Sequence, residues 1–302
     1  MQYIYIYILL YSAIYIYIYI LLSIAIISCS DSDKSVNQKY DGQPFTFGGS
    51  YNNLWNPANP FDSIGFHHNA ALDFASSNYS TLGTELFLEK VDSLIVAYYN
   101  STFSTNLDFN IIRNNCYENI ESIIEADEDS ISSIEYLNSI FSSNIANELD
   151  QTFSLAVACT SSVQLTNTIN SIKTIETNVA NHTTYTQAEK NTILTTTAVL
   201  KFSLVYWDDA INNPNNPWVE IYQDYHETED ELPNSISAGF AALMDAFAAG
   251  YQIYNGNYDP ITVGGHAAVA TGLSYLGALD IVGGCIISGI AKIGAAIISI
   301  FG

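Results

Sequence analysis

Between positions 61 and 213 the chain contains no proline, and its only glycines are Gly65 and Gly83. A sheet of ordinary strands needs a turn every few residues, and turns draw on those two residues more than on any others. So long a stretch without either breaker predicts helices. The apolar periodicity agrees. Phe87, Val91, Leu94, Ile95 and Tyr98 recur at the spacing of one helical face. Ile131, Ile134, Phe141, Ile145 and Leu149 form a second stripe, and Leu165, Ile169, Ile172, Ile175 and Val179 a third. Leu194, Ala198, Phe202 and Val205 make a fourth, running into Tyr206-Trp207. One-faced helices in succession bury one another, so the expected fold class is all-α, a helical bundle.

Glycine and proline reappear on both sides of this stretch. Residues 29–58 hold Gly42, Gly48, Gly49, Pro44 and Pro57, and are expected to be a flexible tether. The bundle domain is expected over 59–235, interrupted by Asn213-Pro-Asn-Asn-Pro217. That loop echoes Asn56-Pro-Ala-Asn-Pro60, and both read as turn chemistry. Residues 236–302 contain 12 of the 17 glycines, and Asp280 and Lys292 are the only formal charges after position 260. This Gly-rich apolar C-terminal segment reads as packed helices or as a membrane-interacting element. Ile281 to Phe301 is long enough to span a bilayer, with Ile261 to Leu279 a weaker candidate. Gly284, Gly289 and Gly294 supply the small residues that let helices approach closely in lipid, with Lys292 the sole penalty.

The N-terminus locates the protein. From position 3 to position 28 there is no charge, and the run closes on Ile26-Ile27-Ser28-Cys29. An apolar stretch that ends on small residues reads as an export signal, here residues 1–28. Its closing cysteine resembles the lipobox of bacterial lipoproteins, which implies acylation of the Cys29 thiol and cleavage just before it. An uncleaved anchor is the alternative. The leader lacks a basic region and twice repeats Ile-Tyr-Ile-Tyr. Either way the chain is expected to be held at a membrane and to face out of the cytoplasm. More than one lipid chain on Cys29 would make that anchoring stable. Outside the cytoplasm Cys116 and Cys159 are a possible disulfide, with Cys285 left over in an apolar segment.

Charge narrows the partners. The chain has 31 acidic and 8 basic residues, for a net charge of −23. Phosphate backbones would be repelled, so no nucleic-acid partner is expected. At 48% hydrophobic residues the chain is no disordered acidic tail.

The densest polar cluster is His67-His68-Asn69 with Asp73. A metal reading recruits His226, Glu227 or Glu229 from the acidic loop 224–231, a nitrogen and carboxylate set suited to zinc or iron. The plainer reading is that a helix starts here, with Asn69 as its cap. No Gly-x-Ser-x-Gly elbow or glycine-rich phosphate loop occurs. Glu125, Asp127, Glu128 and Asp129 lack the glycine-punctuated frame of a calcium loop and read as a solvated turn. Asn255-Gly-Asn-Tyr-Asp259 reads as a turn as well. No cofactor is expected.

Three short segments carry a resemblance. Asn59-Pro-Phe-Asp-Ser-Ile-Gly65 with His68-Asn69 and Leu72-Asp73, then Ser203-Leu-Val-Tyr206-Trp207, then the tail from Asp245-Ala-Phe-Ala-Ala-Gly250, are similar to uncharacterised lipoproteins of Bacteroidetes-type bacteria. The resemblance implies a bacterial cell envelope, lipid anchoring at the outer membrane on its periplasmic or outer surface, and no assigned activity. It also makes Asp62-Ser63-Ile64, Asp92-Ser93-Leu94 and Asp129-Ser130-Ile131 resemble O-glycosylation sites of such envelopes. The expected molecule is a lipid-anchored, non-catalytic structural or interaction module. The alternatives are a membrane-active protein working through 261–302 and a metal-dependent hydrolase built on His67, His68 and Asp73.

Overall fold

The computed structural model describes residues 53–79, 87–108, 110, 112, 133–159, 161–219, 221, 238–257 and 259–276. All of them lie in the unit from Phe45 to Gly302. Among the described residues there is helix and no strand, as the missing breakers require. We number the helices α1 (Asp62–Asn78), α2 (Phe87–Phe103), α3 (Ser133–Ile140), α4 (Ser143–Val157), α5 (Ser162–Asn181), α6 (Gln187–Asn212), α7 (Ala238–Tyr254) and α8 (Pro260–Leu276).

Helix α6 is the axle of the bundle. It packs against α1, α4, α5 and α7, while α8 closes the far side against α1, α2 and α7. Every side chain of residues 191–204 is buried, so this helix has no solvent face through its middle. Some of its threonines bond back to their own helix. Thr192 donates to the Ala188 carbonyl at 3.0 Å and Thr196 to the Thr192 carbonyl at 2.8 Å. At the N-terminus Thr186 and Glu189 form a reciprocal capping box. Glu189 also accepts from Ser142 and Asn144, which ties the start of α4 to the start of α6.

The outer helices bury the expected stripes. Ile145 and Leu149 of α4, Ile169, Ile172, Ile175 and Val179 of α5, and Val91, Leu94 and Ile95 of α2 all belong to one core. Both Asn-Pro loops are turns of the same design. In the first, Oδ1 of Asn56 accepts from the Ala58 N–H and Oδ1 of Asn59 from the Phe61 N–H. In the second, Asn213 accepts from Asn215 and Asn216 from Trp218. The turn between α7 and α8 uses Gly256 at φ 86°, a left-handed conformation that glycine adopts without strain.

One boundary moves. Residues 53–58, expected in the tether, belong to the bundle: Leu54 and Asn56 are buried, and Lys173 of α5 donates to the Asn53 carbonyl. Past 235/236 the described residues follow the packed-helix reading of the C-terminal segment. Helix α7 is the most extensive neighbour of α6, and residues 263–270 of α8 are buried in the same core. No described helix is long and apolar enough to cross a membrane. Of the weaker span expected from Ile261 to Leu279, residues 261–276 are helical and residues 263–270 are buried in the core. The other candidate span, with Gly284, Gly289, Lys292 and Gly294, lies outside the described residues, as do the signal segment with Cys29, the acidic run at 125–129, Cys116 and Cys285.

Candidate functional site

Helix α1 begins at Asp62, earlier than the His-His pair suggests, so His67, His68, Asn69 and Asp73 lie inside it. Successive helical residues point about 100° apart, and these four side chains separate accordingly. His67 meets the Tyr98 hydroxyl at 3.1 Å and packs edge-on against Phe66 and Phe103. Burial lowers its pKa to about 4, so near neutral pH the ring is uncharged. Asp73 turns toward α6, where burial raises its pKa to about 6 against the opposing pull of a hydrogen bond from Tyr206. His68 points into the core. The expected metal cluster is thereby dispersed, and among the described residues no three His, Cys, Asp or Glu side chains converge to hold a metal. His226, Glu227 and Glu229 lie outside the described residues. Asn69 is likewise no cap: its Nδ2 donates to the Phe202 carbonyl of α6 at 2.8 Å.

The chemistry of this chain instead sits in two buried clusters on either side of α6. The first centres on Asp245 of α7. Its Oδ2 accepts from Ser203 and, at 3.1 Å, from the Trp207 indole N–H, and Nε2 of His68 lies 3.4 Å away. The other ring nitrogen of His68 meets Oδ1 of Asn69 at 2.9 Å. Serine, histidine and aspartate are the residue types of a hydrolase triad, but the order is different. In a triad the imidazole bridges hydroxyl and carboxylate, so that it can take the hydroxyl proton. Here the carboxylate lies between hydroxyl and imidazole, so the serine proton is directed at Asp245. All three side chains are fully buried. The arrangement joins α1, α6 and α7. It also brings together His68-Asn69, Ser203 with Trp207, and Asp245, one part from each of the three short segments singled out in the sequence.

The second cluster is built from α1, α5, α6 and the segment leading into α1. Nζ of Lys201 lies 2.8 Å from both carboxylate oxygens of Glu176 and 2.5 Å from Oδ1 of Asp62. The Asn56 backbone N–H donates to Oδ2 of Asp62 at 2.6 Å. The amides of Asn56 and Asn59 donate to Glu176 at 2.8 and 2.6 Å, and Asn59 also reaches the Leu194 carbonyl. Lys201 and Glu176 are fully buried and Asp62 is 1% exposed. Burial is the main cause that raises the Asp62 pKa to about 7, with Lys201 opposing it. Two carboxyl groups thus face one amine in a dry interior.

Sequence reasoning did not pick out this cluster, although one signal points to it. Lys201 is the only formal charge between Lys190 and Asp208, in the middle of an otherwise uncharged run. Asp245 is equally alone between Glu231 and Asp259. In the Asp-Ser patterns at 62 and 92 the aspartates are buried, while Ser63 and Ser93 are half-buried on their helices. Cys159 is a buried free thiol that donates to the Ser161 carbonyl. It is not in a disulfide, and Cys116, its expected partner, is outside the described residues. No family model, curated protein or solved structure matches the chain.

Proposed function

We propose that this chain is a lipid-anchored protein of a bacterial cell envelope, held through Cys29, and that its helical domain is a structural or interaction module. The observation that supports the module reading best is where the reactive side chains go. Lys201, Glu176, Asp62, Asp245, Ser203 and His68 are buried and bond one another across four helices. They act as joints between elements, which is a use of charge suited to a rigid scaffold. Location rests on the Ile-Ile-Ser-Cys29 ending of the apolar leader and on the resemblance to envelope lipoproteins. Membrane activity through 261–302 has less support, since residues 263–270 are needed inside the core.

The anchor is tested by expressing the full chain in a Gram-negative host fed a clickable fatty acid. Label on the wild type and none on Cys29→Ser, with a mature N-terminus at Cys29, is the expected result. An unlabelled wild-type chain that still begins at Met1 would overturn it. The module reading predicts that the purified protein recruits or bridges envelope components without turning over substrate. A panel of ester, peptide and glycoside substrates hydrolysed at rates that fall with Asp245→Ala would count against it.

A further inference from the structure

A buried ion pair needs one carboxylate for one ammonium, and each further buried charge carries a desolvation cost. Glu176 alone satisfies Lys201 through both of its oxygens, yet Asp62 is pressed against the same nitrogen. We propose that the Lys201 amine and the Asp62 carboxyl condense into an intramolecular amide bond, with Glu176 as the proton carrier. The cluster is a modification site in which the chain is both reagent and catalyst.

Each part of the reaction has its group in place. The nucleophile and the carboxyl are held 2.5 Å apart by three packed helices, so the entropy of bringing them together is already met by folding. The ammonium passes one proton to Oδ1 of Asp62, giving a neutral amine and a neutral carboxylic acid. Burial favours that form of the aspartate, whose pKa rises to about 7. The nitrogen lone pair then attacks Cγ and the C–N bond forms. Glu176, 2.8 Å from Nζ, takes a proton from the nitrogen and returns it to the departing hydroxyl. The C–O bond breaks, one water leaves and Glu176 is a carboxylate again. The backbone N–H of Asn56 at Oδ2 stabilises the oxyanion that develops at Cγ. The amides of Asn56 and Asn59, donating to Glu176, hold its carboxylate in position against the amine. The product replaces the Lys201 ammonium and the Asp62 carboxyl by one neutral amide in a place that bulk water does not reach, and the Glu176 carboxylate that remains keeps the Asn56 and Asn59 amides as donors.

Proteolytic mass spectrometry of the full chain tests this directly. In an unlinked chain trypsin cuts after Lys190 and after Lys201 and releases residues 191–201. In the linked chain Lys201 is acylated and is not cut. The expected wild-type result is absence of that peptide and presence of a branched species joining the Asp62 and Lys201 segments, one water lighter than their sum. Glu176→Gln and Asp62→Ala should each restore the 191–201 peptide. The wild-type digest decides the bond by itself, so a variant that folds poorly does not obscure the answer. Release of 191–201 from wild type, with no branched species, overturns the proposal. A branched species formed equally well by folded Glu176→Gln overturns the role of Glu176 as proton carrier.

Discussion

Asp245 places a carboxylate in the middle of the bundle, where a serine hydroxyl and an indole N–H donate to the same oxygen. Truncating it strands those donors in a dry interior, and the cost of an unmet buried group exceeds the net worth of the bond it made. Asp245→Ala is expected to destabilise the domain by about 3–5 kcal/mol, read as a lower urea midpoint at unchanged slope. Asp73 and His67 make a subtler case, because their pKa values move in opposite directions. Folded Asp73 keeps its proton up to about pH 6, whereas the unfolded carboxyl releases it near 3.8. Its contribution to stability is thus full below that lower value and is lost as pH rises through 6. Folded His67 releases its proton at about 4 and the unfolded ring at 6.5, so its contribution is full above 6.5 and is lost as pH falls through 4. The two offset each other in one window. Asp73→Asn should therefore gain stability with pH across that window more steeply than wild type, by about 1–2 kcal/mol. His67→Phe should depart from wild type with the opposite sign. Unfolding midpoints measured near both ends of the window check this.

Close approach between elements depends on particular glycines. A Cβ on Gly65 of α1 would lie 2.6 Å from the Ala198 carbonyl oxygen and 2.8 Å from the Phe202 ring. The carbonyl is backbone and cannot step aside, so Gly65→Ala must push α1 off α6. We expect a loss of about 1–3 kcal/mol, with the circular dichroism of the remaining helices retained. Gly256→Ala meets no atom within 4 Å, and its loss of about 1–2 kcal/mol would come from the left-handed backbone alone. The stripes of α2, α4 and α5 were legible in sequence because each of those helices keeps a wet face, which makes the apolar side periodic. Helix α7 was harder to read. It is buried on every side over residues 241–250, and a helix buried all round has the composition of a membrane segment. Its Gly250 faces Thr196 of α6, so here the small residues mark contact between helices within a core. The Asn56-Asn59 turn was legible as a turn, but its second use was not. Local spacing shows which backbone N–H an asparagine oxygen accepts from, whereas the reach of its amide to Glu176 depends on a helix more than a hundred positions away.

At the scale of the molecule, the question is where the bundle stops. Helix α7 covers the longest stretch of α6 and brings in Asp245, while α8 closes over α1 and α2. Removing everything after residue 235 would uncover the middle of α6 and leave Ser203, Trp207 and His68 without their carboxylate. That form is expected to lose its cooperative unfolding transition and to bind dyes that report exposed apolar surface. Removal after residue 276 takes away neither joint. It should keep a cooperative transition within a few degrees of the full chain, with the Asp245 cluster intact. The same pair of truncations separates the two roles open to the C-terminal segment. If the residues beyond 276 act on lipid, the full chain should release dye from vesicles and the form ending at 276 should not, although both are folded. If both leave vesicles sealed, the apolar end has no membrane activity of its own, and the lipid proposed on Cys29 is left as the contact with the bilayer. A protein joined across α6 by two buried clusters would then present the bilayer with a rigid acidic body on a lipid anchor. Such a body is repelled by anionic headgroups and held by its acyl chains alone, so its release from membranes should depend on detergent and be insensitive to salt.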